Sequence, residues 1–122
     1  MAMIFDIEEQ ARFYCFSRGV DMRKGIMSLY SLIKLSGEHD ALSGDVFVFI
    51  GTNLKSIKVL WWHKNGFILT HKRLEIGRFS PLQNGQESSF VELKHPELRR
   101  MIYRIKQRSM MSELKQRAIS SI

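Results

Sequence analysis

The sequence predicts an α+β domain in which an antiparallel β-meander with a central hairpin is flanked by at least two helices. Three observations predict it. Ser56 to Phe79 reads as two strand-forming runs around Asn65-Gly66, the strongest short-range hairpin signal. Val46 to Ile50 is an unbroken apolar run, VFVFI, of strand length. Two other stretches, Met22 to Leu35 and the chain from about Glu97 onward, repeat their apolar residues at helical spacing instead.

Along the chain, Arg12 to Ser17 is expected to be a strand, with Phe13 and Cys15 alternating against Arg12, Tyr14, Phe16 and Arg18. Gly19 allows a turn, and Asp21 is placed to cap a helix from Met22 to Leu35 by accepting the free amides of its first turn. Met22, Ile26, Leu29, Tyr30, Ile33 and Leu32 form the apolar stripe of that helix, and Ser36-Gly37 supplies its stop. Gly25 would fall in the first turn, where glycine costs about 1 kcal/mol against alanine, so a close contact is expected there. Arg23 and Lys24 would sit at the helix N-terminus against the macrodipole. Two accounts of them stand side by side: a use beyond stability, or tolerance at an exposed site.

Val46 to Ile50 leaves little room for a solvent face and is expected at the centre of the sheet. Gly51 to Lys55 links it to the hairpin, so residues 45 to 74 form a three-stranded antiparallel meander. With Asn65-Gly66 as the two-residue loop, Lys64 faces Phe67, Trp62 faces Leu69, Leu60 faces His71 and Lys58 faces Arg73. Alternation then puts Lys58, Leu60, Trp62, Leu69, His71 and Arg73 on one face, and Ile57, Val59, Trp61, Ile68, Thr70 and Lys72 on the other, core-facing one. Residues 80 to 89 read as a loop, and Phe90 to Leu93 as a fourth or edge strand. Pro96 suits the first turn of a helix with Leu98, Met101, Ile102 and Ile105 on its stripe and Arg99, Arg100, Arg104, Lys106 and Arg108 around it. Residues 1 to 108 are thus read as a single α+β domain, and residues 109 to 122 as a basic helical extension or frayed tail.

At 122 residues and 44% hydrophobic content the chain has material for one core. Its lone cysteine, Cys15, excludes an internal disulfide framework, the acidic start MAMIFDIEEQ is unlike a signal peptide, and no apolar run approaches a membrane span. A cytoplasmic protein without membrane contact is expected. The formal charge of +7 is unevenly distributed: residues 1 to 50 hold five Lys/Arg against seven Asp/Glu, and residues 51 to 122 hold fourteen against five. Clustered cations of that kind suit a polyanion, because they release condensed counterions from nucleic acid. The competing account is a solvated basic face with no partner.

The candidate phosphate contacts are Arg23, Lys24, Lys55, Lys58, Lys72, Arg73 and Arg78, positioning the protein on DNA rather than reading bases. Trp62 and Leu69 are candidate protein-partner contacts, although core packing accounts for Trp62 as well as protein contact and base stacking do together. Catalysis is not expected. Asp21, Asp45 and Glu75 invite comparison with a two-metal carboxylate set, but helix capping, a strand start and an ion pair explain them more simply. His39, His63, His71 and His95 offer no close ligand pair with Cys15, so neither a metal nor a cofactor is expected.

Taken together, Asp21-Met22-Arg23-Lys24-Gly25, the Gly44 to Phe49 strand, Lys58 to Trp62, Gly66, Leu69, Lys72-Arg73-Leu74-Glu75 and Gly77-Arg78-Phe79 carry a resemblance over about residues 12 to 93. The sequence resembles the small accessory protein, called TnpB or the second reading frame, of the insertion sequence sixty-six family of bacterial transposons. It departs from that pattern at His63, where the family has an acidic residue, and in Gly51 to Lys55, where the family is richer in arginine. The resemblance implies a non-catalytic protein that works beside a separate transposase, other accessory proteins of the element and DNA. The alternative within it is an interaction module that binds the transposase or another accessory subunit without touching DNA.

Overall fold

A computed structural model of the chain describes residues 10–79 and 88–94, together with residues 96, 97 and 100. Its elements run β1 (Phe13–Phe16), α1 (Ile26–Ser36), β2 (Val46–Ile50), β3 (Ser56–His63), β4 (Gly66–Arg73) and β5 (Phe90–Leu93). They build one five-stranded sheet in the order β4-β3-β2-β1-β5. The apolar run VFVFI is the middle strand, and all five of its residues are buried. A strand covered on both faces has no use for a polar side, which is why it does not alternate.

The expected meander is present in β2, β3 and β4, which pair antiparallel. The sheet as a whole is mixed, however, which corrects the purely antiparallel expectation. β1 lies parallel to β2, with Phe13 opposite Val46 and Cys15 opposite Val48. Parallel neighbours need a long crossover, and α1 provides it. β5 then closes the far edge, antiparallel to β1. Its first amides are held from across the molecule: the Glu38 carboxylate accepts the N–H of Ser89 at 3.0 Å and of Phe90 at 3.4 Å.

α1 begins four residues later than its apolar spacing suggests. Gly25 is the N-cap, and no side chain bonds the first turn. Asp21 instead accepts the amide of Arg23 at 2.9 Å in a local turn, so Met22 to Lys24 are an approach to the helix and not part of it. Gly25 has negative φ, and a Cβ there would meet nothing within 4 Å, so no close contact requires it. The expected stop is found: Gly37 takes the left-handed conformation at φ 67° and donates its amide to the Lys34 carbonyl. Of a second flanking helix, Pro96, Glu97 and Arg100 have helical backbone, and the rest lies outside the described residues. Residues 109 to 122 also lie outside them.

The hairpin is offset from the expected register. His63 pairs with Gly66, so the loop is Lys64-Asn65, with positive φ (55°) at Lys64 and not at Gly66. Trp62 therefore faces Phe67, Leu60 faces Leu69 and Lys58 faces His71. Two consequences favour this arrangement. Trp62 and Phe67 make an edge-to-face ring pair at 5.0 Å. Arg73 falls opposite Ser56, which removes the like-charge opposition of Lys58 and Arg73. Because cross-strand partners move by two positions, the same residues still share each face.

Both faces carry a core. On one, α1 lays Leu29 and Ile33 over Tyr14, Phe16, Phe47, Phe49, Leu60 and Phe90. On the other, Trp61 packs with Cys15, Val46, Val48, Ile57, Val59, Leu74 and Phe79. Trp61 is thus the core tryptophan, as expected, while its neighbour Trp62 is half-buried.

A cation cluster at one end of the sheet

Strand polarity decides where the candidate residues meet. The exits of β1, β2 and β4 and the start of β3 lie at the same end of the sheet, so the loops 17–25, 51–55 and 74–79 come together there. Backbone bonds fasten them. Val20 bridges to Gly51, donates to the Ile50 carbonyl at 2.9 Å and accepts from Thr52 at 3.2 Å. Leu74 donates to the Lys55 carbonyl at 2.7 Å, and Phe79 to the Leu54 carbonyl at 2.6 Å. Gly51 is needed for this closeness: a Cβ would stand 2.9 Å from Met22 Cγ and 3.2 Å from Asn53 Oδ1.

Five of the seven cations expected to contact phosphate, from four separate stretches, belong to this end: Arg23, Lys24, Lys55, Arg73 and Arg78. Arg23, Lys55, Arg73 and Arg78 are exposed, and Lys24 is half-buried. Lys72 is half-buried on the opposite face of the hairpin. Arg18, which the sequence reading did not single out, also belongs here. It leaves β1 at this end, is exposed, and lays its guanidinium 5.4 Å from the centre of the Phe16 ring. Its signal in the sequence was a charge placed just before Gly19 at a strand exit.

Lys58 needs correction. It is only 8% exposed, and its ammonium donates to the carbonyls of Met22 at 2.8 Å and Lys24 at 2.6 Å. An ammonium so engaged is an internal clamp on the Met22–Lys24 segment, not a free phosphate ligand. Sequence pattern could not show this, because the carbonyls it binds lie more than thirty residues away in the chain. The Trp62 ring also lies apart from the cations. It stands at the hairpin turn, seven residues along β3 from Lys55, or roughly 23 Å of strand. Leu69 is half-buried opposite Leu60 on the outermost strand.

Arg23 does not present a bare charge. Its guanidinium grips the Asp21 carboxylate, with Nη2 2.6 Å from Oδ2, and these bonds hold the Asp21 pKa down to about 2. A depressed carboxylate pKa contributes stability above the ordinary value of 3.8 that fades as the pH falls toward 2. The pair is exposed, so solvent screens that contribution. His71, opposite Lys58, is pushed below its ordinary pKa by burial and then by the charges of Lys58 and Arg73. Cys15 is fully buried in β1, and desolvation raises its thiol to about 12, which suits a small apolar core residue.

The carboxylates Asp21, Asp45 and Glu75 do not meet. Asp45 precedes β2 at the other end of the sheet, where it accepts the Arg12 amide at 3.0 Å, while Glu75 lies 4.0 Å from Arg73. Among the described residues no group of three or more His, Cys, Asp or Glu is gathered to hold a metal ion, and no helix is long and apolar enough to cross a membrane.

Comparison with known proteins gives this arrangement a context. The chain is 34% identical over 68 residues to the Sinorhizobium fredii (strain NBRC 101917 / NGR234) protein named Uncharacterized protein y4jC, covering 54% of this chain and 58% of that one. It is 30% identical over 101 residues to Uncharacterized protein y4hO of the same strain, covering 73% of this chain and 88% of that one. No solved structure matches it. A family model described as IS66 Orf2 like protein matches residues 11–112, the greater part of the sequence, and the chain belongs to that family.

Proposed function

We propose that this chain is a non-catalytic accessory factor of IS66-type transposition that holds DNA by its phosphates at the basic end of the sheet. The family supports the accessory role in transposition. The observation that supports DNA contact is the gathering of Arg18, Arg23, Lys24, Lys55 and Arg78 on three loops fastened to one another by backbone hydrogen bonds, with Arg73 beside them at the end of β4. Loops whose backbones are already fastened need little reordering on binding, and duplex phosphates accept cations without sequence preference. Lys58 supports the surface from within by holding the carbonyls of Met22 and Lys24. Cytoplasmic DNA of the element, its transposase and its other accessory proteins are the partners in this reading.

Fluorescence anisotropy of the purified protein against a labelled transposon-end duplex and an unrelated duplex, at two salt concentrations, tests it. Affinity should fall steeply with salt, with each lost phosphate contact lowering the log–log slope by about 0.9. Affinity indifferent to salt, or no binding to either duplex at low salt, would remove DNA contact from the function. A preference for the transposon end would make the protein a recognition factor.

A further inference from the structure

The outer edge of β4 is a prepared strand-pairing site, and we propose that it takes an extended acidic segment of a partner protein as a sixth, antiparallel strand. The inference does not depend on the DNA reading. β4 ends the sheet, and among the described residues it pairs only with β3. It is eight residues long, twice the length of β5 at the other edge. Proteins usually blunt such an edge by shortening it, bulging it, or placing proline or charged side chains on it. The pairing of β4 runs unbroken from Gly66 to Arg73 and it contains no proline; the one such device it carries is the charge of Lys72 and Arg73 at one end, which repels a basic strand and suits an acidic one.

The register shows which backbone groups are offered. In an antiparallel pair, successive residues turn their amide and carbonyl alternately toward and away from the neighbour. The bond from the Leu74 amide to the Lys55 carbonyl, and the closing pair His63 and Gly66, turn Gly66, Ile68, Thr70 and Lys72 toward β3. Phe67, Leu69, His71 and Arg73 therefore direct four amides and four carbonyls outward. Backbone groups of this kind bind any extended chain, and the neighbouring side chains choose which.

Here the choice is graded along the strand. Phe67 and Leu69 are half-buried and apolar, next to Trp62 and Leu60, whereas Lys72 and Arg73 put positive charge at the other end. Between Lys64 and Leu74 there is no carboxylate, and Glu75 just beyond, 4.0 Å from Arg73, forms only an exposed pair that a second carboxylate can replace. An antiparallel segment that begins acidic and ends β-branched complements both halves. Carboxylates then meet Lys72 and Arg73, and apolar side chains continue the surface of Phe67 and Leu69.

The probe is a fluorescent peptide, Glu-Glu-Glu-Thr-Val-Ile-Val, titrated into the full-length protein. Two N-methylated forms make the test specific. In the proposed pairing the odd-numbered peptide residues turn their amides toward β4, so methylation at peptide positions three and five should weaken binding about tenfold or more, as two backbone hydrogen bonds are lost. Methylation at positions four and six should leave it within about twofold, because those amides face solvent. Replacing the three glutamates by lysine should abolish binding. Absence of binding up to millimolar peptide, or equal sensitivity to the two methylation patterns, overturns the proposal. It is overturned equally if the protein forms a concentration-dependent dimer that occupies the edge and excludes the peptide, which would assign the edge to a second copy of this chain.

Discussion

Thr70 and Trp61 hold two polar atoms that the core does not satisfy. The Thr70 hydroxyl and the Trp61 indole N–H are buried without a hydrogen-bond partner. An unpaired buried hydroxyl forfeits its hydration and gains nothing in return. Thr70→Val keeps the shape and β-branching while removing the hydroxyl, so it should stabilise the fold by about 1 kcal/mol, read as a higher urea midpoint at unchanged slope. A lower midpoint would mean that the hydroxyl has a partner after all. Alternation along the hairpin placed Trp61 in the core, and it is there. Lys58 was read as a phosphate contact, yet it is buried, because the Met22 and Lys24 carbonyls accept its ammonium and replace the water around the charge.

At the scale of elements, the sequence located every described strand to within a residue or two, since VFVFI and the aromatic runs of the hairpin admit little else. Boundaries set by local capping were less legible. Asp21 looked like a helix cap, yet it serves a turn around Arg23. The hairpin loop lies one residue earlier than Asn-Gly suggests, in the register that sets Trp62 against Phe67 and Ser56 opposite Arg73. The loop 51–55 is tightly built, with Leu54 at positive φ and Asn53 accepting the Lys55 amide at 2.9 Å. Gly51→Ala should therefore cost about 1–3 kcal/mol, the usual range for overpacking, because Met22 and the Asn53 side chain must both give way. Thermal denaturation measures this directly, and an unchanged melting temperature would show that the loop adjusts freely.

For the molecule as a whole, charge placement and structural support separate cleanly. Lys55 is exposed, whereas Lys58, three residues later, is an internal clamp. Lys55→Gln should reduce the salt slope of DNA binding by about 0.9 and leave stability unchanged. Lys58→Met should do the reverse, lowering stability by about 1–2 kcal/mol as the Met22 and Lys24 carbonyls lose their donor, with the slope preserved. Paired measurements of slope and urea stability on the two variants check this, and a slope change in Lys58→Met would restore it as a phosphate contact. By itself the sequence determined the α+β class, the central place of β2, the two faces of the hairpin and the excess of cations after residue 50. These follow from local periodicity and composition, which each segment carries alone. The parallel pairing of β1 with β2, the hold of Glu38 on β5, the burial of Lys58 and the meeting of cations from distant loops were decided only by tertiary structure. Each depends on which segments become neighbours, and a backbone carbonyl dozens of residues away leaves no mark on the local pattern.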